Sequence, residues 1–171
     1  MAMTNIKEKI KTRETISFKD QTINIGLGVH KRNWSVSIYF GDSFVKTFHQ
    51  ESSGEILYQH LISNYPDGTY KACYEAGFCG FSVQRELTLL GINFTVVNAT
   101  DAPQTHKGML SKTDASDSRR IGEAFAKGLL TPIYIPTSSA EADRNLVRYR
   151  KRVQEDLKAK KQGIKSYLFR A

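Results

Sequence analysis

The sequence predicts a mixed α/β fold in which a three-stranded antiparallel meander precedes alternating strands and helices. Residues 23–27 and 34–40 alternate apolar with small or polar side chains, the period-two pattern of a strand, and a Gly41-Asp42 turn leads to a third strand at 44–48. Strand and helix patterns then alternate along the chain. A meander followed by such units indicates a mixed sheet with helices on both faces.

The elements after the meander are predicted from local patterns. Ser52 with Glu55 three residues later is a capping box, which opens a helix with an apolar stripe. Residues 69–74 form a strand pattern, and residues 78–90 a helix pattern that Gly91 ends. Another strand follows at 92–97.

The second half divides into a loop and two helices. Residues 98–112 are rich in Thr, Asp, Pro, Gln and Lys, and predict a long loop. A helix is expected from 114 to 129, and a long basic helix begins near Thr137 or Ser138. The domain boundaries follow from these patterns. We expect a flexible leader, an α/β domain and a basic helical segment, at residues 1–20, 21–136 and 137–171.

Length and composition exclude several classes of protein. The chain has 171 residues and a net charge of +8, which fits one ordinary domain with an appendage. No apolar run reaches the roughly 18 residues that a membrane span needs, so no membrane partner is expected. Residues 1–20 mix charges of both signs and lack the pattern of a signal peptide. We therefore expect a cytoplasmic protein.

The positive charge is concentrated at the carboxyl end of the chain. From Glu141 onward there are ten Lys and Arg residues against four Asp and Glu residues. Such an imbalance favours a polyanionic partner, because each neutralised phosphate releases condensed counterions. A solvated helix face is the alternative interpretation.

The basic helix also carries a narrow apolar seam. Its members recur at steps of seven and four residues, and they are Leu146, Val153, Leu157, Ile164 and Leu168. A seam of this kind predicts a partner helix, so we expect a homo-oligomer that forms through this segment. The helix is expected to continue past residue 171 or to form one arm of a hairpin, which would make the chain a fragment.

Three carboxylates are candidates for chemistry. Glu75 follows a predicted strand, at the end where open α/β sheets place their sites. Asp114 and Asp117 lie three apart on the helical face that continues into an apolar stripe, so both acids are expected to point inward. Inward carboxylates favour a divalent metal. The alternative is ordinary capping, with Asp114 as N-cap and Asp117 at N3.

Three motifs together resemble a known family. The run from Ile25 to Lys31 (IGLGVHK), the run from Tyr74 to Gly77 (YEAG) and the run from Lys112 to Asp117 (KTDASD) are similar to motifs of the IS-one-ten family of bacterial insertion-sequence transposases and the related Piv-like DNA invertases. The resemblance covers residues 22–168. It implies a ribonuclease-H-like fold similar to the resolvase RuvC, with a mixed sheet, flanking helices and a long basic C-terminal helix.

The resemblance also implies a metal site of four acids, Asp-Glu-Asp-Asp. When the family pattern is carried over to this sequence, its last three acids fall on Glu75, Asp114 and Asp117. These residues would act as catalytic residues and bind Mg²⁺ or Mn²⁺. The first Asp of the family pattern falls on Gly28, so that acid is absent here. The family's first Asp normally contacts both metals, and its loss implies impaired catalysis.

The function implied is that of a DNA transposase or site-specific recombinase, an enzyme of DNA recombination and transposition that works by metal-dependent phosphoryl transfer. The chain would be its N-terminal part, truncated before a C-terminal transposase domain. DNA and a structured guide RNA would be its partners in a bacterial cytoplasm. The alternative is a catalytically inactive module of the same fold that binds nucleic acid and forms oligomers.

Basic side chains at two places are candidates for nucleic-acid binding. One group surrounds the predicted carboxylates and the other lies on the basic helix, and each has the alternative of a solvated surface. The candidates are His30, Lys31, Arg119, Arg120, Arg148, Arg150, Lys151 and Arg152.

Overall fold

The protein contains one five-stranded mixed sheet. The computed structural model describes residues 17–77, 79–101 and 113–170. The order across the sheet is β3-β2-β1-β4-β5, with β1–β2 and β2–β3 antiparallel, and β1–β4 and β4–β5 parallel. The strands are β1 (Thr22–Val29), β2 (Asn33–Phe40), β3 (Ser43–Glu51), β4 (Thr69–Glu75) and β5 (Asn93–Val97).

Helices follow the strands in the predicted order, and a 3₁₀ turn at Ala99–Asp101 follows β5. The mixed sheet, its flanking helices and the long C-terminal helix confirm the predicted fold class, and they are consistent with a ribonuclease-H-like fold. The chain divides into two units between Ile133 and Tyr134. The helices are α1 (Gly54–Asn64), α2 (Ser82–Leu89), α3 (Asp114–Ala126) and α4 (Ser138–Leu168).

The backbone of helix α3 packs directly against the backbone of β1. An ideal Cβ at Gly26 would stand 2.5 Å from Cα of Gly122, and closer still to the carbonyl oxygen of Ser118. A Cβ at Gly122 would stand 2.8 Å from the ring of Tyr39. Neither position has room for a side chain, and we call this contact the Gly26–Gly122 crossing. It fixes which side chains of the sheet face α3.

A hydroxyl group strengthens the packing of α3 on β2. The Tyr39 hydroxyl donates a hydrogen bond of 2.8 Å to the carbonyl oxygen of Arg119. Burial, with a smaller contribution from the charge of Glu123, raises the pKa of Tyr39 to about 12. The hydroxyl therefore keeps its proton, and remains a donor, throughout the physiological pH range.

The opposite face of the sheet is covered by α1 and α2. Phe48 of β3 pairs across the sheet with buried Val36, and its ring lies 4.4 Å from the ring of His60 on α1. The backbone N–H of Gly54 donates a hydrogen bond of 2.7 Å to the carboxylate of Glu86, which joins α1 to α2. The expectation of helices on both faces is thus confirmed.

Two predicted helix starts were wrong, that of α1 by one residue and that of α2 by four. Helix α1 is capped by Ser53, which accepts from the N–H of Ile56, whereas the hydroxyl of Ser52 donates to the carbonyl oxygen of Lys31. Helix α2 begins at Ser82 rather than at residue 78, which lies outside the described residues.

The ends of α2 and α3 are set by glycine. Gly91 has φ of +85° and the N–H of Ile92 bonds back to Leu87, so the predicted stop of α2 is confirmed. Helix α3 ends at Ala126 rather than at residue 129, because Gly128 adopts φ of +68° there. Residues 1–16 of the predicted leader and 102–112 of the predicted loop lie outside the described residues.

We expect Gly26→Ala to destabilise the first unit by about 3 kcal/mol, the upper end of overpacking costs, because the added methyl group meets backbone rather than a movable side chain. Urea denaturation followed by circular dichroism measures the change. The control is Gly77→Ala, whose added Cβ would have its nearest neighbour at 3.7 Å. Its effect should stay within about 0.5 kcal/mol. Equal stability of the two variants would contradict the close crossing.

Candidate functional site

The candidate site lies where β1 and β4 end side by side. The two parallel strands pair through Gly26 with Cys73 and through Leu27 with Tyr74, so Gly28 and Glu75 come next on each strand. Gly26 faces α3, and Cys73 packs with Ile121 of α3. Because side chains alternate along a strand, positions 28 and 75 face α3 as well. Glu75 is exposed at this edge.

The first turn of α3 lies over position 28. An ideal Cβ on Gly28 would stand 3.3 Å from the carbonyl oxygen of Asp114 and 3.6 Å from Cβ of Ser118. The structure therefore brings the amino end of α3, with Asp114 and Asp117, to the edge at which β1 and β4 end. This edge, with Gly28, Glu75, Asp114 and Asp117, is called the acidic edge below.

The cap of α3 differs from the expected one. Thr113 is the N-cap: its hydroxyl accepts from the N–H of Ser116 at 3.2 Å, and the Ser116 hydroxyl accepts from the N–H of Thr113 at 3.0 Å. The interpretation of Asp114 as N-cap and Asp117 at N3 is therefore wrong. Since hydroxyl groups do the capping, neither carboxylate is needed for it. Both acids still lie in the first turn, where the helix dipole favours negative charge.

The two acids of α3 differ in exposure and partner. Asp114 Oδ1 lies 3.0 Å from His30 Nε2, and the Asp114 side chain is 55% exposed. Asp117 is 28% exposed, and its Oδ1 lies 3.9 Å from Nε of Arg120. The expectation that both acids point inward is wrong for Asp114, whose side chain is more than half exposed and lies against His30.

A buried set of hydroxyl groups lies directly beneath the acidic edge. The hydroxyl of Ser118 is 2.9 Å from the hydroxyl of Ser35 and 2.9 Å from that of Ser37, both on β2. Ser37 is also 2.8 Å from Thr47 of β3. Ser35, Ser37 and Ser118 are at most 1% exposed. This hydroxyl cluster joins α3 to two strands, and so holds the acids of its first turn against the sheet.

The hydroxyl cluster was missed by the analysis of the sequence. The alternation along β2 places Ser35 and Ser37 on one face, opposite Gly28 and Gly26 of β1. The sequence did contain a signal for the cluster, namely small residues on two adjacent strands, with glycine on β1 and serine on β2. Such a face indicates that a helix packs closely on it and offers hydrogen-bond partners to the serines. Which helix and which residue would approach them could not be read from spacing.

The donor atoms suit a hard cation, but they are too few in this arrangement. Carboxylate oxygens such as those of Glu75, Asp114 and Asp117 are the ligands that Mg²⁺ and Mn²⁺ prefer. Within residues 17–77, 79–101 and 113–170, no three His, Cys, Asp or Glu side chains could together hold a metal ion. Position 28 supplies no side-chain donor, and Asp114 is engaged by His30. These carboxylates therefore have the right chemistry to bind a divalent cation, but too few of them come together to hold one.

The basic candidates of the first unit have different surroundings. His30 contacts Asp114 and thus belongs to the acidic edge. Lys31 is exposed between β1 and β2. Arg119 lies over the ring of Phe44 at 4.4 Å, on the side of α3 that packs toward β3. Arg120 lies beside Asp117. Of the four candidates, His30 and Arg120 therefore lie beside the acids of α3.

The basic candidates of α4 are exposed, and three of the four share one side of the helix. Arg148, Arg150, Lys151 and Arg152 are near neighbours in sequence, and all four are exposed. Since each residue turns a helix by about 100°, Arg148, Lys151 and Arg152 fall within an arc of about 100° on one side of α4, and Arg150 lies on the opposite side. No residue of α4 is buried, and the seam side chains are 47–68% exposed.

We expect Ser118→Ala to destabilise the first unit by about 1–3 kcal/mol, because it leaves the buried hydroxyl of Ser35 without its partner. Urea denaturation measures this change. A second variant combines Ser35→Ala with Ser118→Ala. The double variant should lose less stability than the two single losses added together, since both sides of one hydrogen bond are then removed. Simple additivity would contradict a direct interaction between the two hydroxyl groups.

Comparison with known proteins finds a partial similarity to a transposase. No model of a known protein family matches the chain. In the described part of the chain, every helix is too short or too polar to cross a membrane. The chain is 31% identical over 98 residues to the protein named "Putative transposase y4qE" of Sinorhizobium fredii (strain NBRC 101917 / NGR234). The match covers 57% of this chain and 25% of that protein, so the chain is similar to about a quarter of a transposase-related sequence.

Proposed function

We propose that this chain is the N-terminal part of a DNA transposase or site-specific recombinase of the IS-one-ten kind. Its site is the acidic edge, where Glu75, Asp114 and Asp117 act. The reaction of a complete site is phosphoryl transfer on DNA that depends on Mg²⁺ or Mn²⁺. The observation that carries the proposal is the meeting of β1, β4 and the first turn of α3 at one edge of the sheet. The similarity to a named transposase supports it.

The chemistry explains why carboxylates from separate elements matter. Phosphoryl transfer develops negative charge on oxygen atoms, and divalent cations held by carboxylates neutralise that charge and activate water. In this chain Glu75 comes from the end of β4, whereas Asp114 and Asp117 come from α3. Lys31, two residues beyond the end of β1, supplies positive charge for a phosphate backbone, and His30 lies between it and the strand.

Position 28 decides whether the site is complete. An added Cβ there would meet the carbonyl oxygen of Asp114 at 3.3 Å and Cβ of Ser35 at 3.5 Å, so a side chain fits after a shift of a few tenths of an ångström. That side chain would emerge on the face shared with Glu75. We therefore propose that Gly28 leaves the acidic edge one carboxylate short, and that this shortage impairs metal binding and catalysis.

The proposal predicts the outcome of a calorimetric titration with Mn²⁺. The Gly28→Asp variant should bind Mn²⁺ at least about tenfold more tightly than the parent chain, because a third element then supplies an oxygen ligand. Gly28→Asn is the matched control, since it has nearly the same shape without the charge. It should resemble the parent. Circular dichroism confirms that both variants are folded.

Two further variants locate the binding site. In the Gly28→Asp background, Glu75→Gln should abolish the gain in affinity for Mn²⁺. Asp42→Asn is the control and should leave the gain unchanged. Asp42 lies in the turn between β2 and β3, at the end of the sheet opposite the acidic edge. Equal affinity of the Asp and Asn variants at position 28, or a gain that survives Glu75→Gln, would refute the metal site.

A second candidate function is a catalytically inactive module that binds nucleic acid and forms oligomers. The missing carboxylate at Gly28 and the shortage of clustered ligands in the described residues favour it. The exposed seam of α4 would join a second copy of the chain. Because the same seam lies on each copy, two of them can pair through one self-complementary surface.

The second candidate predicts a change in oligomeric state. Replacing Leu157 and Ile164 of the seam by Asn should convert an oligomer to a monomer in sedimentation equilibrium. Two exposed apolar contacts are then lost from each copy, at roughly 1.5–3 kcal/mol for each buried side chain. Val147→Asn is the control, since Val147 is 66% exposed but lies off the seam. A monomeric parent chain, or an oligomer that the seam variant leaves intact, would contradict the pairing.

A further inference from the structure

A row of basic side chains runs along α4 at intervals of seven residues. The row begins near the start of the helix and continues almost to its end. Its members are Arg144, Lys151, Lys158 and Lys165. We call it the basic row.

Helical geometry makes the basic row one continuous surface. Seven residues complete two turns of a helix less about 20°, so successive members lie almost directly above one another. From Arg144 to Lys165 the row extends for about 31 Å at 1.5 Å per residue. All four side chains are exposed. Arg148 and Lys161 lie beside this line, three or four residues from members of the row, whereas Arg150, Arg152 and Lys160 lie about 100° or more from the nearest member in sequence.

The charge of the basic row remains available. Nζ of Lys151 lies 3.9 Å from the carboxylate of Glu155, and the two side chains are 77% and 66% exposed. A pair this long and this exposed contributes little, and salt screens it. Lys151 can therefore exchange Glu155 for another anion at small cost.

The basic row is separate from the apolar seam. Lys158 directly follows Leu157, and Lys165 directly follows Ile164. One residue corresponds to about 100° around a helix, so the row lies on the flank of the seam. A helix that packed on the seam would leave the row open to solvent. One helix can thus carry two surfaces that are used at the same time.

We propose that the basic row binds the phosphate backbone of a DNA duplex. This inference rests on the proposed nucleic-acid role of the chain, and it is independent of the metal site. Duplex DNA carries one negative charge per about 1.7 Å of its axis, so a helix lying along it faces a high density of phosphate charge. The length of the row is close to one turn of B-DNA, about 34–36 Å. Its first and last members can therefore reach the same side of the duplex.

The test compares two variants of the full chain with the same net charge. In the row variant all four members are replaced by Gln. In the control variant Arg150, Arg152, Lys160 and Arg170 are replaced by Gln, which removes the same number of charges from positions that lie away from the row. Gln is close to Lys and Arg in helix propensity, and circular dichroism checks that both variants keep their helix. Fluorescence anisotropy measures binding to a DNA duplex of about three turns, in EDTA and at several salt concentrations.

The row variant should flatten the plot of log K against log salt by about 3–4, close to one contact for each phosphate-binding residue lost. The control variant should change the slope by less than about 1. A third variant, with Arg at positions 151, 158 and 165, should keep the slope of the parent, since it retains the charge.

Several results would overturn the inference. Equal changes in the row and control variants would mean that net charge alone governs binding. An unchanged slope in the row variant, no binding of duplex by the parent, or tighter binding of single-stranded RNA than of duplex would each refute it. Because EDTA is present throughout, these outcomes do not depend on Mn²⁺. A failure of the basic row is therefore distinguishable from a failure of the acidic edge.

Discussion

The contact between α3 and β1 at the Gly26–Gly122 crossing is the constraint on which the rest of the site depends. Two glycines let the backbones approach until no side chain could stand between them. That approach brings Ser118 within hydrogen-bond distance of Ser35 on β2, and it sets the first turn of α3 over position 28. Sterics at the crossing fix the distance, and hydroxyl groups fix the rotation of the helix. The acids at its amino end take their positions from both.

The features that could be predicted from sequence are those that local patterns determine. Alternation gave the strands of the meander, and a positive-φ glycine ended α2 at Gly91 as expected. The position of Glu75 at the end of a buried strand could also be predicted, because a charged residue after a run of apolar residues marks the point where a strand leaves the core. These features depend on neighbours in sequence, where periodicity and turn chemistry are informative.

Features that depend on distant parts of the chain, or on competition between neighbouring capping residues, were not predictable. Thr113 competes with Asp114 for the capping position, and the reciprocal bond with Ser116 decides the competition. The exposure of Asp114 depends on how the first turn of α3 is placed over the end of β1, which spacing along the helix does not reveal. The hydroxyl cluster required knowledge of which helix meets β2. In each case the outcome depends on a contact with another element, or with a residue of the same turn. The periodicity of the sequence does not indicate which of these contacts forms.

The hydroxyl cluster also bears on the order in which the protein can fold. Its bond between Ser35 and Ser118 joins residues 83 positions apart. Contacts between distant positions form late, because loop closure costs entropy before the contact can stabilise the chain. During synthesis the meander is complete long before α3 leaves the ribosome, so its glycine and serine face has no helix to cover it. The hydrophilic groups on that face then keep it wetted until α3 arrives, whereas an apolar face would be prone to aggregate.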